Sequence, residues 1–434
     1  MQLHLGNFLG HFYGDPRRPA FLPLDDRRRH VLVTGTTGTG KSTLLANLFC
    51  QEANAGRGVF LLDPHGSLAQ QAINAVPPRR IRKTIYLNVA DEEYPVAFNP
   101  LYNVPERQRA TRAANLVEAI KSIWGDISWG PRLEHVLYNA LRALLDAGNA
   151  TLLGIARMIE DDDYRARVRT TIKDPQVRKF WDVTFLTYLE DGPQAFTSVL
   201  NKVEQITSSA VMRNILGQTK SSFDPRHLMD NNYIVIVNLC KGAIGDEHAN
   251  LLGSLLIASF GSAAMSRANV APQDCKDFAM IIDEFPNFTT NSLASLLSEV
   301  RKYKVSMILA HQYLNQMTDV VRSAALGTIG SLIVFRVGGE DARVFGSHMN
   351  DLPYEHFADT WNYRAQTRII NYGTPLQTHE LHTLPTPRPH GHGQKVINLT
   401  RNNFARSRAV VEPRIDRFID GQKRPLASKS RRRF

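Results

Sequence analysis

The chain is expected to be an α/β protein: a mostly parallel, helix-flanked sheet interrupted by an all-α insertion. Three observations point there. Short unbroken apolar runs recur with helical stretches between them, which is how strands buried on both faces look. Gly35, Thr36, Thr37, Gly38, Thr39, Gly40, Lys41 and Ser42 complete a G-x-x-x-x-G-K-[ST] loop between one such run and a helical stretch. From about Pro105 to Met229 the strand rhythm stops and helical patterning takes over.

The strands are expected at residues 31–33, 59–62, 84–89, 233–239, 278–282, 305–310 and 331–335. The insertion should carry helices near 114–123, 133–145, 177–188 and 196–206. Asn99-Pro100 and Asp224-Pro225 break the chain near its joints. The expected division is 1–103 for the first part of the sheet domain, 104–229 for the insertion, 230–350 for the second part, and 351–434 for a C-terminal extension. That extension turns Pro- and His-rich at 383–393 and ends in a basic tail at 429–434, expected to wrap a neighbour or stay mobile. His379, His382, His390 and His392 have no Cys nearby and read as linker rather than as metal ligands.

The loop dictates chemistry. Its glycines let backbone N–H groups curl around a polyphosphate, Lys41 reaches the β and γ phosphates, Ser42 offers a hydroxyl to Mg²⁺, and Thr43 follows at the helix start. A nucleoside triphosphate is the implied ligand. Hydrolysis would also need a carboxylate to hold Mg²⁺ through water and a base to orient the attacking water. The run 278–282 ends in Asp283, which would face the metal, and Glu284, the expected catalytic base. One strand further, 305–310 leads to His311 and Gln312; the Gln312 amide is placed to touch the γ phosphate and report its loss. Arg301 and Arg336 are the two arginines considered for a finger that reaches a phosphate held by another subunit.

Composition bounds the rest. With 43% hydrophobic and 21% charged residues this is an ordinary globular chain, long enough for two or three compact units. A net charge of +11, with basic clusters at 27–29, 79–83 and the end, favours an anionic partner gripped through phosphates without sequence specificity. Three cysteines at unrelated spacings, and no leader-like start, suggest a reducing cytoplasm. No apolar run reaches the roughly eighteen residues that span a bilayer, and the nearest, at 249–265, reads as a core helix.

Several words of this sequence, in this order, resemble one family. They are the phosphate loop, Asp63-Pro64-His65-Gly66, Phe98-Asn99-Pro100-Leu101, Trp129-Gly130-Pro131-Arg132, Asp283-Glu284-Phe285, Arg301-Lys302-Tyr303 leading to Ala310-His311-Gln312, and Phe335-Arg336-Val337-Gly338. Over roughly residues 25–350 the chain resembles the HerA and FtsK superfamily of hexameric DNA translocases, most closely its conjugative-transfer coupling protein branch. The resemblance implies a RecA-like P-loop NTPase core with an all-α insertion, ATP and Mg²⁺ as ligands, and a homo-oligomeric, hexameric ring gripping DNA. It puts Arg301 in the place of the trans-acting finger and Gln312 in that of the sensor, with Asp63 and His65 beside the nucleotide. A relaxase, a secretion channel or an effector protein are the implied partners. Family members usually begin with membrane-spanning helices, which are not expected here, so the location is read as cytoplasmic, peripheral to the inner membrane through a partner. The competing reading is an ATPase that powers protein secretion or acts as a nucleotide-controlled scaffold for an effector such as a nuclease.

Overall fold

Runs of Val, Ile and Leu become central strands because apolar layers cover them on both faces. The computed structural model describes residues 6–13, 18–125, 128–192 and 194–421. Its strands are β1 (Gly6–Phe12), β2 (Pro19–Pro23), β3 (Val31–Thr34), β4 (Gly58–Asp63), β5 (Thr84–Asn88), β6 (Ile234–Asn238), β7 (Phe278–Ile282), β8 (Val305–His311), β9 (Ser331–Val334), β10 (Arg364–Arg368), β11 (Ile370–Asn371), β12 (Thr374–Pro375) and β13 (His379–Thr383). Among the described residues eleven of these form one sheet in the order β2-β1-β13-β10-β9-β3-β8-β7-β4-β6-β5. From β9 to β5 every pairing is parallel. All seven strands expected from the sequence lie in this parallel part.

Side-chain alternation splits the core in two. Val31, Val33, Val59, Leu61, Ile281, Ile308 and Ala310 face a layer that includes Leu44, Leu45, Leu48 and Phe49 of the helix Lys41–Asn54. On the other face Phe260, from the helix Asp246–Ser266, lies 4.4 Å from Phe60 and stacks on Phe278 at 6.0 Å, ring centre to ring centre. The stretch Asp246–Asn269 is long and apolar enough by length and composition to cross a membrane. Most of its helix is buried against the sheet, as a core helix.

The C-terminal extension is the main correction to the sequence reading. β10 pairs antiparallel with β9, β13 with β10, β1 with β13, and β2 with β1, which adds four antiparallel strands beside the P-loop strand β3 and its neighbour β9. His379 and His382 therefore sit in a strand rather than a linker, and among the described residues no group of metal-holding side chains occurs. The helix Gly393–Phe404 returns to β5, where the hydroxyl of Thr400 accepts the N–H of Tyr86 at 3.1 Å. The tail at 429–434 lies outside the described residues.

Two basic clusters turn out to hold the fold together. Arg27 is fully buried, pairing with Glu52 and donating to Asn7 Oδ1 at 2.7 Å, which ties β1 to the helix Lys41–Asn54. Burial alone would raise the Glu52 carboxyl, but Arg27 and Arg57 overcome this and hold it down to about 2. Arg28 pairs with Asp25 and, at 2.8 Å, with Asp277. Arg79 donates to the carbonyl of Asn54, and Arg80 is buried against the carbonyls of Ala53, Arg57 and Asn232. Arg27 and Arg80 are thus spent internally, whereas Arg79 stays exposed.

The chain divides into two compact units. The sheet unit takes the described residues within 1–90, 114–129 and 223–404; the helical unit takes those within 91–113, 130–222 and 405–434. The boundaries differ from the expected ones: 223–229 belongs with the sheet, and the C-terminal helix Arg408–Ile419 belongs with the helical unit. In the helical unit Trp181 is buried and packs against Phe180 and Phe185, and the helices at Asp162–Arg169 and Pro175–Lys179 are capped by the carboxylates of Asp161 and Asp174. Asn99, singled out in the sequence, is a brace there: its amide donates to the carbonyls of Ala150 at 2.9 Å and Thr219 at 3.0 Å, and its own carbonyl group accepts the N–H of Leu101.

Candidate nucleotide site

Parallel register brings the chemistry to one edge. Thr34 of β3 pairs with His311 of β8, and Leu62 of β4 pairs with Ile282 of β7, so Asp63, Asp283 and the P-loop leave the sheet at the same level. This is the carboxyl edge, where open α/β sheets bind ligands.

The loop from Gly35 to Gly40 joins β3 to the helix Lys41–Asn54, and two of its glycines are required. A Cβ on Gly35 would lie 2.6 Å from Cβ of Phe335, and Gly40, at φ +121°, forms the cap of the helix in a conformation open to glycine. Thr36 donates its N–H to the Arg336 carbonyl at 2.8 Å, and the Thr39 hydroxyl donates to the Thr36 carbonyl at 2.8 Å. Lys41 is buried, and its ammonium donates to the carbonyls of Gly35 and, at 3.2 Å, Thr36. Burial lowers its pKa against the opposing pull of Glu284 and Asp283. Ser42 and Thr43 are half-buried at the helix start.

Asp283 and Glu284 follow β7 and are both about 6% exposed, among the most hidden carboxylates of the sheet unit. Burial, then the charges of Glu284 and Asp63, push the Asp283 carboxyl up to about 7, with Lys41 acting the other way. The charges of Asp283, Glu284 and Asp63 outnumber that of Lys41 here, a balance that a divalent cation beside Ser42 and Asp283 would relieve. Glu284 adopts the left-handed backbone conformation at φ +47°, unusual for a non-glycine residue and a sign of local strain.

Gln312 links the two halves of the site. Its amide N–H donates to Glu284 Oε1 at 2.8 Å, and its carbonyl oxygen accepts the Thr37 hydroxyl at 3.2 Å. Thr37, one loop position among eight in the sequence motif, is thereby the contact between the loop and Gln312. His311 before it is fully buried, meets Phe285 edge-on at 5.6 Å, and is held neutral, its pKa lowered by burial to about 3.

The remaining expected residues separate. Asp63 has both carboxylate oxygens occupied, one by the N–H of His65 and one by the N–H of Ala69, each at 2.8 Å, so it staples the turn into the helix Ser67–Asn74. Its charge reaches Asp283 although its oxygens are committed. His65 is exposed and enters through its backbone. Arg336 is half-buried beside the loop of its own chain, to which its carbonyl is bonded. Arg301 is exposed at the other end of β8, a strand of seven residues that separates it from Gln312 by roughly 20 Å at about 3.3 Å per residue. It does not reach its own phosphate loop.

A segment absent from the sequence-based site also borders the loop. Tyr363 donates its N–H to the Thr39 carbonyl at 2.7 Å, and Asn47 donates to the Pro385 carbonyl at 2.9 Å. No short-range pattern could reveal a contact made across more than three hundred residues of chain.

The fold matches what is found in other proteins. Residues 20–343 match the family described as the type IV secretion-system coupling protein DNA-binding domain. The chain belongs to this family. Among solved structures it is similar to the unbound conjugative coupling protein TrwB, at 15% identity over 88% of this chain and 97% of that one, with a TM-score of 0.63. TrwB in complex with ADP and Mg²⁺ aligns at 16% identity over 86% of this chain and 89% of the other, with a TM-score of 0.60. VirB4 of Thermoanaerobacter pseudethanolicus aligns at 15% identity over 89% and 98% of the two chains, with a TM-score of 0.61. At such identities the likeness is one of fold, a P-loop ATPase core of RecA type. No curated protein matches.

Proposed function

We propose that this coupling-protein family member is a Mg²⁺-dependent ATPase whose turnover moves DNA, acting as a ring of identical subunits. The observation that carries it is the Gln312 bridge, which connects the phosphate loop at Thr37 to the expected base Glu284. The family's DNA-binding description and the complexes of TrwB with ADP, Mg²⁺ and an ATP analogue support the ligands.

In this reading Lys41 exchanges the carbonyls of Gly35 and Thr36 for phosphate oxygens. Ser42 and Asp283 would hold the metal, which would supply charge neutralisation at the phosphates. Glu284 accepts a proton from the attacking water, and Gln312 orients Glu284 until the phosphate contact changes. Arg336 serves the site of its own chain, and Arg301 that of a neighbour, because only a neighbour's phosphate can come within its reach. Asp63 and His65 shape the adjoining turn rather than bind nucleotide.

The test is ATP turnover at low salt with and without double-stranded DNA, followed by displacement of streptavidin from a biotinylated DNA end. DNA-stimulated hydrolysis with displacement is expected. An assembled protein that hydrolyses ATP identically with and without DNA, and leaves streptavidin in place, would overturn the DNA-moving role. Absence of Mg²⁺-dependent hydrolysis would overturn the ATPase reading itself.

A further inference from the structure

The sheet order imposes a direction on any nucleotide in the P-loop. Glu284 and Gln312, the groups for the terminal phosphate, follow β7 and β8 on one side of β3. A polyphosphate with its far end there carries its nucleoside away from them, toward the side of β3 where β9 and β10 lie.

That side has an aromatic side chain in place. Tyr363 immediately precedes β10 and is 48% exposed although its backbone is firmly tied. Its N–H donates to the Thr39 carbonyl at 2.7 Å, and its carbonyl accepts both the N–H and the hydroxyl of Thr383, at 2.9 and 3.0 Å. Its ring and Cα approach the open side of Gly40 so closely that an added Cβ there would lie 3.1 Å from Tyr363 Cδ1. Its φ of +63° is a left-handed conformation that costs a tyrosine energy and points to a demand on where the ring stands. The same C-terminal segment passes the helix start again at Pro385, bonded to Asn47, which also donates to Thr43 at 3.0 Å. An anchored backbone with an exposed ring is the form a stacking platform takes.

The geometry points to Tyr363 as the residue that stacks on the face of the nucleobase, so that the C-terminal segment, rather than the P-loop domain proper, supplies the nucleoside subsite. A ring face is shared by purines, so the contact adds affinity without reading the base edge. The inference rests on the P-loop being a nucleotide site.

The experiment is calorimetric titration of the full chain with ADP plus Mg²⁺ and, separately, with tripolyphosphate plus Mg²⁺, which has phosphates and no base. Tyr363→Asn is the informative variant, because Asn tolerates the left-handed conformation and keeps the N–H to Thr39. It should weaken ADP by about 5- to 100-fold, the range for loss of one base–aromatic stack, and leave tripolyphosphate within about twofold. Tyr363→Phe should bind both as the unaltered protein does. Equal losses for both ligands would mean that Tyr363 only shapes the loop, and unchanged ADP affinity would mean that the ring touches no base; either overturns the assignment while leaving the P-loop reading intact. If the unaltered protein binds neither ligand, the P-loop reading fails and takes this inference with it.

Discussion

Gln312 and Glu284 are joined by a 2.8 Å hydrogen bond in which the amide donates to the carboxylate, and Thr37 holds the other end of the same amide. An amide so placed holds the Glu284 carboxylate in one orientation and ties it to the loop at Thr37. Gln312→Ala should lower kcat by about 10²-fold, comparable to removing one preorganised polar group from an active site, with nucleotide affinity nearly unchanged. Steady-state hydrolysis together with equilibrium binding separates the two quantities. A pure KM effect would remove Gln312 from the catalytic step.

Lys41 and Glu284 should fail in different ways. Lys41 is the buried cation of the loop, so Lys41→Ala should abolish binding of Mg²⁺ and nucleotide. Glu284→Gln keeps the shape and the Gln312 contact but loses the basic oxygen, so turnover should fall by about 10²- to 10⁴-fold while ATP stays bound. Equilibrium filtration with labelled ATP reads the split, and a Glu284→Gln protein hydrolysing at full rate would mean that the base lies elsewhere.

The left-handed backbone at Glu284 yields a stability prediction that reverses the usual order. In ordinary strand or helix positions Gly is less stable than Ala. At φ +47° Ala carries the same steric burden as Glu, whereas Gly does not, so Glu284→Gly should be the more stable of the two variants by about 1 kcal/mol. Both lose the carboxylate and the Gln312 bond, so their difference in chemical unfolding isolates the backbone. Finding Glu284→Ala the more stable would show that this turn carries no strain.

His30 gives the acid sensitivity. Its Nε2 donates to the Leu297 carbonyl at 2.8 Å and its Nδ1 accepts the Met307 N–H at 3.0 Å, so the buried ring is tied in its neutral form. Burial lowers its pKa from 6.5 to about 4. The folded state then binds fewer protons than the unfolded state between these values. His30 therefore contributes stability that is complete above about pH 6.5 and lost as pH falls through about 4, on the order of 3 kcal/mol in all. His30→Asn, which suits the left-handed φ of +67°, should be less stable at pH 7 and show a shallower loss toward pH 4. Melting curves across that window would exclude the role if both proteins had the same slope.

What the sequence made legible follows from burial. The parallel strands are unbroken apolar runs because both their faces are covered, and the loop at Gly35 and the Asp283-Glu284 pair stand at their ends, so the fold class and the position of the candidate groups could be read together. The antiparallel strands could not. β10 reads Arg-Ala-Gln-Thr-Arg and β13 reads His-Glu-Leu-His-Thr, with Ala365 and Leu381 as their apolar core contacts. Such strands depend on partners far away in sequence rather than on local pattern. The same distance hid Tyr363, and charge alone misjudged Arg27, whose partner Glu52 lies twenty-five residues on.

The position of Arg301 can be tested by mixing. On the proposed reading, Arg301, at the far end of β8 from its own Gln312, would serve catalysis across a subunit boundary, and a ring would combine the loop of one copy with the arginine of another. Arg301→Ala has an intact loop and no finger; Lys41→Ala has a finger and no working loop. Each should be inactive alone, yet rings formed from an equal mixture contain pockets pairing a good loop with a good finger, and hydrolysis should return to a substantial fraction of the unaltered rate. Recovery requires the shared pocket, because no copy in the mixture carries both groups. A mixture as inactive as its components, in rings verified by mass photometry to contain both proteins, would assign Arg301 to structure or to its own chain.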